Sequence, residues 1–362
     1  MISINHIVKH LPQNCYSNDE LIQANEPLFE TARQAGVRLP EFDETFWEYL
    51  GVERRHLYVD LDDPGAWWKA GKGRYPIARE AAASYVELMK DHPPLREDDR
   101  VVVISNTVDV AAPNMGYAMI AHLRRMLPDF EAPQVITLAG EGCSGYISGL
   151  READIFLSSR PDARVVIVTA ETLGSMLWNP ISEGPALACG TPQMVVGLAI
   201  QRLLFGDGCT ASLISRDGEG HRFSNFARWD NLDPNDVSLL ENTHTGSQSG
   251  EPIPPFGFFQ QQPRELMERL AGDYLPRALT KLSGIEQRPE KFAIHTGSLK
   301  ILQLVKSGLG LAEKDLDASA AILRDHGNMN SSTGPMVLAA MPAGAPVFSL
   351  FFGLGFSLQA AW

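Results

Sequence analysis

The chain has 362 residues, 44% of them apolar, and a formal net charge of −13, so it is long enough for a sizeable buried core. The acidic surplus argues against nucleic acid, whose phosphates call for excess Lys and Arg, and no run of about 18 apolar residues marks a transmembrane helix. Cys15, Cys143, Cys189 and Cys209 show no CxxC spacing, and "MISINHIVKHLPQNCYS" lacks a basic-then-apolar leader. The expectation is therefore a cytoplasmic protein with reduced thiols, no metal and no membrane partner.

Short β-branched runs alternate with helical patterns. "RVVVISNT" (Arg100 to Thr107) reads as a buried strand, and "NMGYAMIAHLRRML" (Asn114 to Leu127) as an amphipathic helix after Pro113. "QVITLAG" is a second strand, "SGYISGLREADIFLSS" a helix and "ARVVIVTAE" a third strand, the order of a doubly wound α/β sheet. "LLFGDGCTASLIS" reads as two short strands around a Gly-Asp-Gly turn. Residues 217–255 are polar and weakly periodic, a connection with short strands. The theme then returns. "KFAIHTG" is a strand, "SLKILQLVKSGLGL" and "MNSSTGPMVLAAM" are helices, and "PVFSLFFGLGFSLQAAW" gives two strands around Gly353 and Gly355. The reading is two similar α/β halves, residues 1–215 and 216–362.

Chemistry concentrates at strand-to-helix turns. Cys143, in "LAGEGCSGYISGL", sits among glycines that permit a tight turn and close approach by a substrate. At a helix N-terminus its pKa is expected to fall from about 8.5 towards roughly 3.5–7.5, and its N–H could face an oxyanion. A small residue packed at a turn is the plainer alternative. His295 in "FAIHTGSLKIL" and Asn328 in "RDHGNMNSS" occupy equivalent strand-end positions, where ligands collect in α/β folds. A nucleophilic cysteine with two polar partners suits thioester chemistry. Cys15, Cys189 and Cys209 read as buried or loop thiols. Asp207 reads as a turn residue, His326 as a structural residue on an extended segment, and Glu171 as a strand-end carboxylate, commonly solvated, with a contribution to the pocket as the alternative.

Cys143 in "EGCSG", "LFGDG" at residues 204–208, His295 in "AIHTGSLKIL", Asn328 in "GNMNSS" and the closing "FFGLGFSL" stand in the order and spacing of the thiolase superfamily. The chain resembles the β-ketoacyl carrier-protein synthases III and the chalcone synthase-like type III polyketide synthases. That resemblance implies a layered αβαβα thiolase-like fold and a homodimer. It implies a ketosynthase that loads an acyl group on Cys143 and joins it to a second acyl thioester by Claisen condensation. His295 and Asn328 would hold the second carbonyl, and His295 would also pair with Cys143. Phe205 would stand at the cavity mouth, and Gly353 and Gly355 would shape the wall beside the cysteine. Lys300 would greet an acidic acyl carrier protein. No cofactor is implied beyond acyl thioesters on coenzyme A or a carrier.

Some features depart from the pattern. Trp47 in "DETFWEYLGVERRHL" has no Arg before Gly51, which weakens the case for ordinary coenzyme A recognition. "WNPISEGPALACGTPQM" reads as an insertion, and Ala112 falls where a partner subunit often donates a bulkier residue. Both favour polyketide or other specialised metabolism over fatty-acid initiation. Two alternatives stay open: transfer of the acyl group to a hydroxyl or amine with His295 as general base, and a non-catalytic subunit of a heterodimer.

Overall fold

The β-branched run Val101–Ile104 is apolar on both faces, and a strand of that kind is stable only with cover on each side. The computed structural model describes residues 1–70, 75–109, 113–178, 192–242, 259–261, 263–286 and 289–362. In chain order β1 is Ile2–His10, β2 Asn14–Ser17, β3 Arg54–Leu57, β4 Arg100–Ile104, β5 Gln134–Leu138, β6 Val165–Glu171 and β7 Gly208–Ser215. β8 is His221–Phe223, β9 Phe226–Asp230, β10 Leu240–Asn242, β11 Phe259–Gln261, β12 Lys291–Ile294, β13 Val347–Gly353 and β14 Ser357–Ala361. A six-stranded sheet runs β5-β4-β6-β7-β1-β8, and a four-stranded sheet runs β12-β13-β14-β9. β4 is parallel to β5 and β6, and β12 is parallel to β13.

Three apolar clusters explain the layering. Val101, Val103, Val166 and Val168 point away from the second sheet and pack on the helices Pro76–Met89 and Met115–Met126. On the other face of the first sheet, Val102, Ile104 and Ile167 meet Tyr146, Ile147 and Leu150 of the helix Gly145–Ser159. Met336, Val337 and Leu338 of the helix Thr333–Ala339 join the same cluster, as do Phe351 and Ala361 of the second sheet. The outer face of that sheet packs Phe292, Ile294, Phe348 and Leu350 on the helices Leu275–Ser283 and Leu299–Leu309. The result is five layers, αβαβα, with the strand ends of both sheets meeting around one central pair of helices.

One of the two strands expected around the Gly-Asp-Gly turn is absent. Leu203 and Leu204 are the last turn of the helix Pro192–Leu204, whose Val195, Leu198 and Ala199 are buried with them. The apolar doublet is therefore a helix end, and only β7 follows. Phe205 makes an isolated parallel bridge to Asn328. There Asn328 N–H donates to Leu204 O (3.0 Å) and Gly206 N–H donates to Asn328 O (3.1 Å). His326 likewise ends a helix, Asp317–His326, rather than lying on an extended segment.

Candidate active site

Cys143 occupies a single 3₁₀ turn, Gly142–Ser144, that leads into the helix Gly145–Ser159. Gly142 takes φ +58°, which favours glycine, and a Cβ there would meet Leu354 N at 2.4 Å. The thiol is 8% exposed. Burial, with the charge of Glu171 adding to it, pushes the thiol well above its ordinary range. This reverses the lowering expected from the helix N-terminus. The dipole acts within the first turn only, whereas loss of water acts on the whole thiolate charge.

The thiol's hydrogen bond goes to Asn328 Oδ1, at 3.6 Å, and none joins it to His295. Asn328 Oδ1 also accepts from Asn330 N–H at 2.9 Å. That bond sets the amide's orientation and leaves Asn328 Nδ2 without a protein partner among the described residues. Asn330 itself adopts φ +52°, which asparagine tolerates better than most residues. His295 follows β12, with its N–H donating to Leu350 O at 2.9 Å. Its ring lies against Phe352, centroids 4.0 Å apart, and its Nδ1 is buried without a hydrogen bond. Burial lowers its pKa to about 3, so the imidazole is neutral at physiological pH.

Beneath the thiol lies a polar network that the sequence reading missed. Glu171, at the end of β6, is fully buried rather than solvated. Asn106 N–H donates to its Oε1 and Oε2 at 3.1 and 3.2 Å, Asn106 Nδ2 to Oε1 at 2.6 Å and Thr107 Oγ1 to Oε2 at 3.1 Å. Ser331 Oγ donates to the same carboxylate from the other half of the molecule. Burial nevertheless raises Glu171 to about 7. The signal available in the sequence is a carboxylate closing a largely apolar strand, beside the polar end of "VVVISNT".

Cys143, His295 and Asn328 line one cavity of about 360 Å³, together with Phe205 and Gly353. The rest of the wall is largely apolar, with Phe46, Leu50, Met267, Ile301, Phe352 and Leu354 prominent. Gly355, at φ +62°, turns the chain between β13 and β14 and is not part of the wall. Lys300 is exposed near the start of the helix Leu299–Leu309. Asp207 is more than a turn residue: it is fully buried and accepts from Tyr58 N–H (3.0 Å) and Ser175 N–H (3.0 Å). Cys209 is buried and Cys15 exposed. Cys189 and Ala112 lie outside the described residues. Among the described residues no cluster of three or more His, Cys, Asp or Glu is arranged to hold a metal, and no helix is long and apolar enough to cross a membrane.

Solved structures share this architecture. A type III pentaketide synthase from Neurospora crassa matches with a TM-score of 0.70 at 20% identity, covering 99% of this chain and 98% of that one. A 3-oxoacyl-(acyl carrier protein) synthase III from Pseudomonas aeruginosa PAO1 matches with a TM-score of 0.70 at 17% identity, covering 99% and 96%. The protein has a thiolase-like fold. Sequence relatives agree with that fold. Type III polyketide synthase 10 of Oryza sativa subsp. japonica is 30% identical over 227 residues, 61% of this chain and 52% of the rice protein. A β-ketoacyl-[acyl-carrier-protein] synthase III of Nitratidesulfovibrio vulgaris is 26% identical over 347 residues, 89% of this chain and 91% of that protein. A Bacillus subtilis protein named for chalcone synthase is 25% identical, with 64% of its length covered. The chain thus spans between half and two thirds of the rice and Bacillus relatives. No protein-family model matches it. This thiolase-fold chain is a relative of both the type III polyketide synthases and the synthases III.

Proposed function

We propose that this thiolase-fold protein is a condensing acyltransferase. One observation carries the reading: Cys143, His295 and Asn328, from three separate loops, face a single apolar cavity. Cys143 Sγ attacks the carbonyl of an acyl thioester, and the thiol proton leaves with the departing thiol, so the acyl group ends on the cysteine. A second, malonyl-type thioester then places its carbonyl oxygen against Asn328 Nδ2 and the His295 ring. Both are uncharged donors in a largely apolar site, where a hydrogen bond to a developing enolate is stronger than in water. Loss of carbon dioxide forms the enolate, whose carbon attacks the acyl-cysteine carbonyl and expels the Cys143 thiolate, which takes a proton from solvent to regenerate the thiol. The apolar wall suits an uncharged acyl group, and the reading carries with it a homodimer and donors on coenzyme A or a carrier protein.

Intact-protein mass spectrometry tests this. Wild type and Cys143→Ala are incubated with acyl and malonyl thioesters, on coenzyme A and on a carrier protein. A mass gain confined to wild type, followed by carbon dioxide release with the malonyl donor, is the expected result. No gain with any donor overturns the proposal. A gain with the malonyl group retained in the product replaces condensation by transfer to another acceptor.

A further inference from the structure

The peptide that carries the nucleophile is held by a side chain from another strand. Asn106 follows β4, and its amide spans Gly142 on both sides. Gly142 N–H donates to Asn106 Oδ1 at 2.7 Å, and Asn106 Nδ2 donates to Gly142 O at 3.1 Å. These two bonds act on different peptide planes. The N–H belongs to the Glu141–Gly142 peptide and the carbonyl to the Gly142–Cys143 peptide. Because a trans peptide is planar with its C=O and N–H opposed, fixing Gly142 O also fixes the direction of Cys143 N–H. Gly142 O accepts Gly145 N–H as well, so that carbonyl is held from two directions.

The amide cannot turn over. Its Nδ2 also donates to Glu171 Oε1 at 2.6 Å, and the flipped form would set an amide oxygen against a carboxyl oxygen. A longer contact, 3.4 Å, runs from the same nitrogen to Asn330 Oδ1, two residues past Asn328. Asn106 therefore touches the loops of two site residues while facing neither the thiol nor the imidazole in a hydrogen bond.

We infer that Asn106 is a positioning residue: its side-chain amide clamps the peptides around Gly142 and aims Cys143 N–H at the oxygen of the acyl carbonyl under attack. This rests on the acyl-loading reading above. It predicts a specific separation. Attack on a thioester builds negative charge on oxygen and needs that N–H, whereas alkylation of the thiol by iodoacetamide displaces iodide and needs no such donor.

The test compares wild type, Asn106→Ala and Asn106→Thr, the last keeping a hydroxyl for Glu171 but too short to span Gly142. Single-turnover acylation by hexanoyl-coenzyme A and by hexanoyl carrier protein is followed by intact mass, beside iodoacetamide alkylation of Cys143 and thermal unfolding. The expected result is acylation slowed about 10–100-fold at unchanged half-saturation, the penalty of a reacting group displaced by about an ångström. Alkylation should change less than about threefold. Acylation at the wild-type rate in both variants overturns the clamp, and so does an equal fall of acylation and alkylation, which would mark a general loss of structure. If Asn106→Ala fails to fold, Asn106→Thr carries the same comparison. Wild type that gains no acyl mass overturns the acyl-loading reading itself, a result distinct from either.

Discussion

Gly142 and Gly353 meet backbone to backbone. A Cβ at Gly142 would stand 2.9 Å from Gly353 Cα, and a Cβ at Gly353 would stand 1.9 Å from Glu141 O. The turn before the nucleophile and the end of β13 are thus pressed together at a point where no side chain fits. Gly142→Ala should be destabilising by about 3 kcal/mol, combining roughly 1–2 for the left-handed backbone with roughly 1–3 for overpacking. Gly353→Ala carries the overlap without that backbone strain. Gly36→Ala is the control, since Gly36 has φ +76° with nothing within 4 Å of its added Cβ. Urea unfolding midpoints should rank Gly142→Ala well below Gly36→Ala. Equal midpoints would show that the two loops separate at little cost.

The charge of Glu171 adds to burial in raising the Cys143 thiol. Glu171→Gln keeps an oxygen for Asn106 and removes the charge, so the thiol pKa should fall and iodoacetamide alkylation at pH 8 should quicken severalfold. Stability should respond with a definite sign. A carboxyl raised from 4.5 to about 7 on folding holds its proton more tightly in the folded state. Its contribution favours the fold below the unfolded value and is lost as pH climbs through about 7. Wild type should therefore lose stability between about pH 5 and 8, and Glu171→Gln should flatten that slope. An unchanged slope, with Asp207 also raised to about 7, would assign it to Asp207 instead.

Much of the layering was legible because it is local. The runs 101–104 and 165–168 are apolar on both faces and can only be interior strands, and the helix between Leu299 and Leu309 announces its end with Gly310 at φ +63°. What escaped the sequence reading depends on residues far apart. A strand-end carboxylate such as Glu171 normally meets water, and part of its cover, Ser331, lies 160 positions away. Leu203 and Leu204 looked like strand because a short apolar doublet carries no period; their partners in the helix Pro192–Leu204 decide the matter. The rise in the Cys143 thiol follows the same logic, since the walls that dry it come from both halves of the chain.

Replacing Lys300 should separate the two donor types. It is exposed, and a solvent-facing cation on an acidic protein meets an acidic carrier through long-range attraction more than through a fixed contact. Lys300→Glu should slow loading from a carrier protein severalfold, mainly through the association rate, with the loss shrinking as salt rises. Loading from coenzyme A serves as the reference. Equal effects on both donors, or none on the carrier, would leave Lys300 as a solvated helix residue.

The strongest division of labour is predicted at Asn328. Among the described residues its Nδ2 has no protein partner, while its Oδ1 holds Asn330 N–H and faces the thiol at 3.6 Å. Asn328→Ala removes the donor proposed for the second thioester, so acyl loading of Cys143 should persist while carbon dioxide release falls by about 10²–10³. It also orphans Asn330 N–H, a stability loss of about 1–3 kcal/mol. Asn328→Asp keeps the acceptor for Asn330 but turns a carboxylate towards the thiol. Like charge beside a developing thiolate raises its pKa further, so this variant should lose loading as well as condensation. Measuring acyl mass and released carbon dioxide in parallel distinguishes the two. Asn328→Ala that condenses at the wild-type rate would remove Asn328 from the second step, leaving the carbonyl to His295 alone.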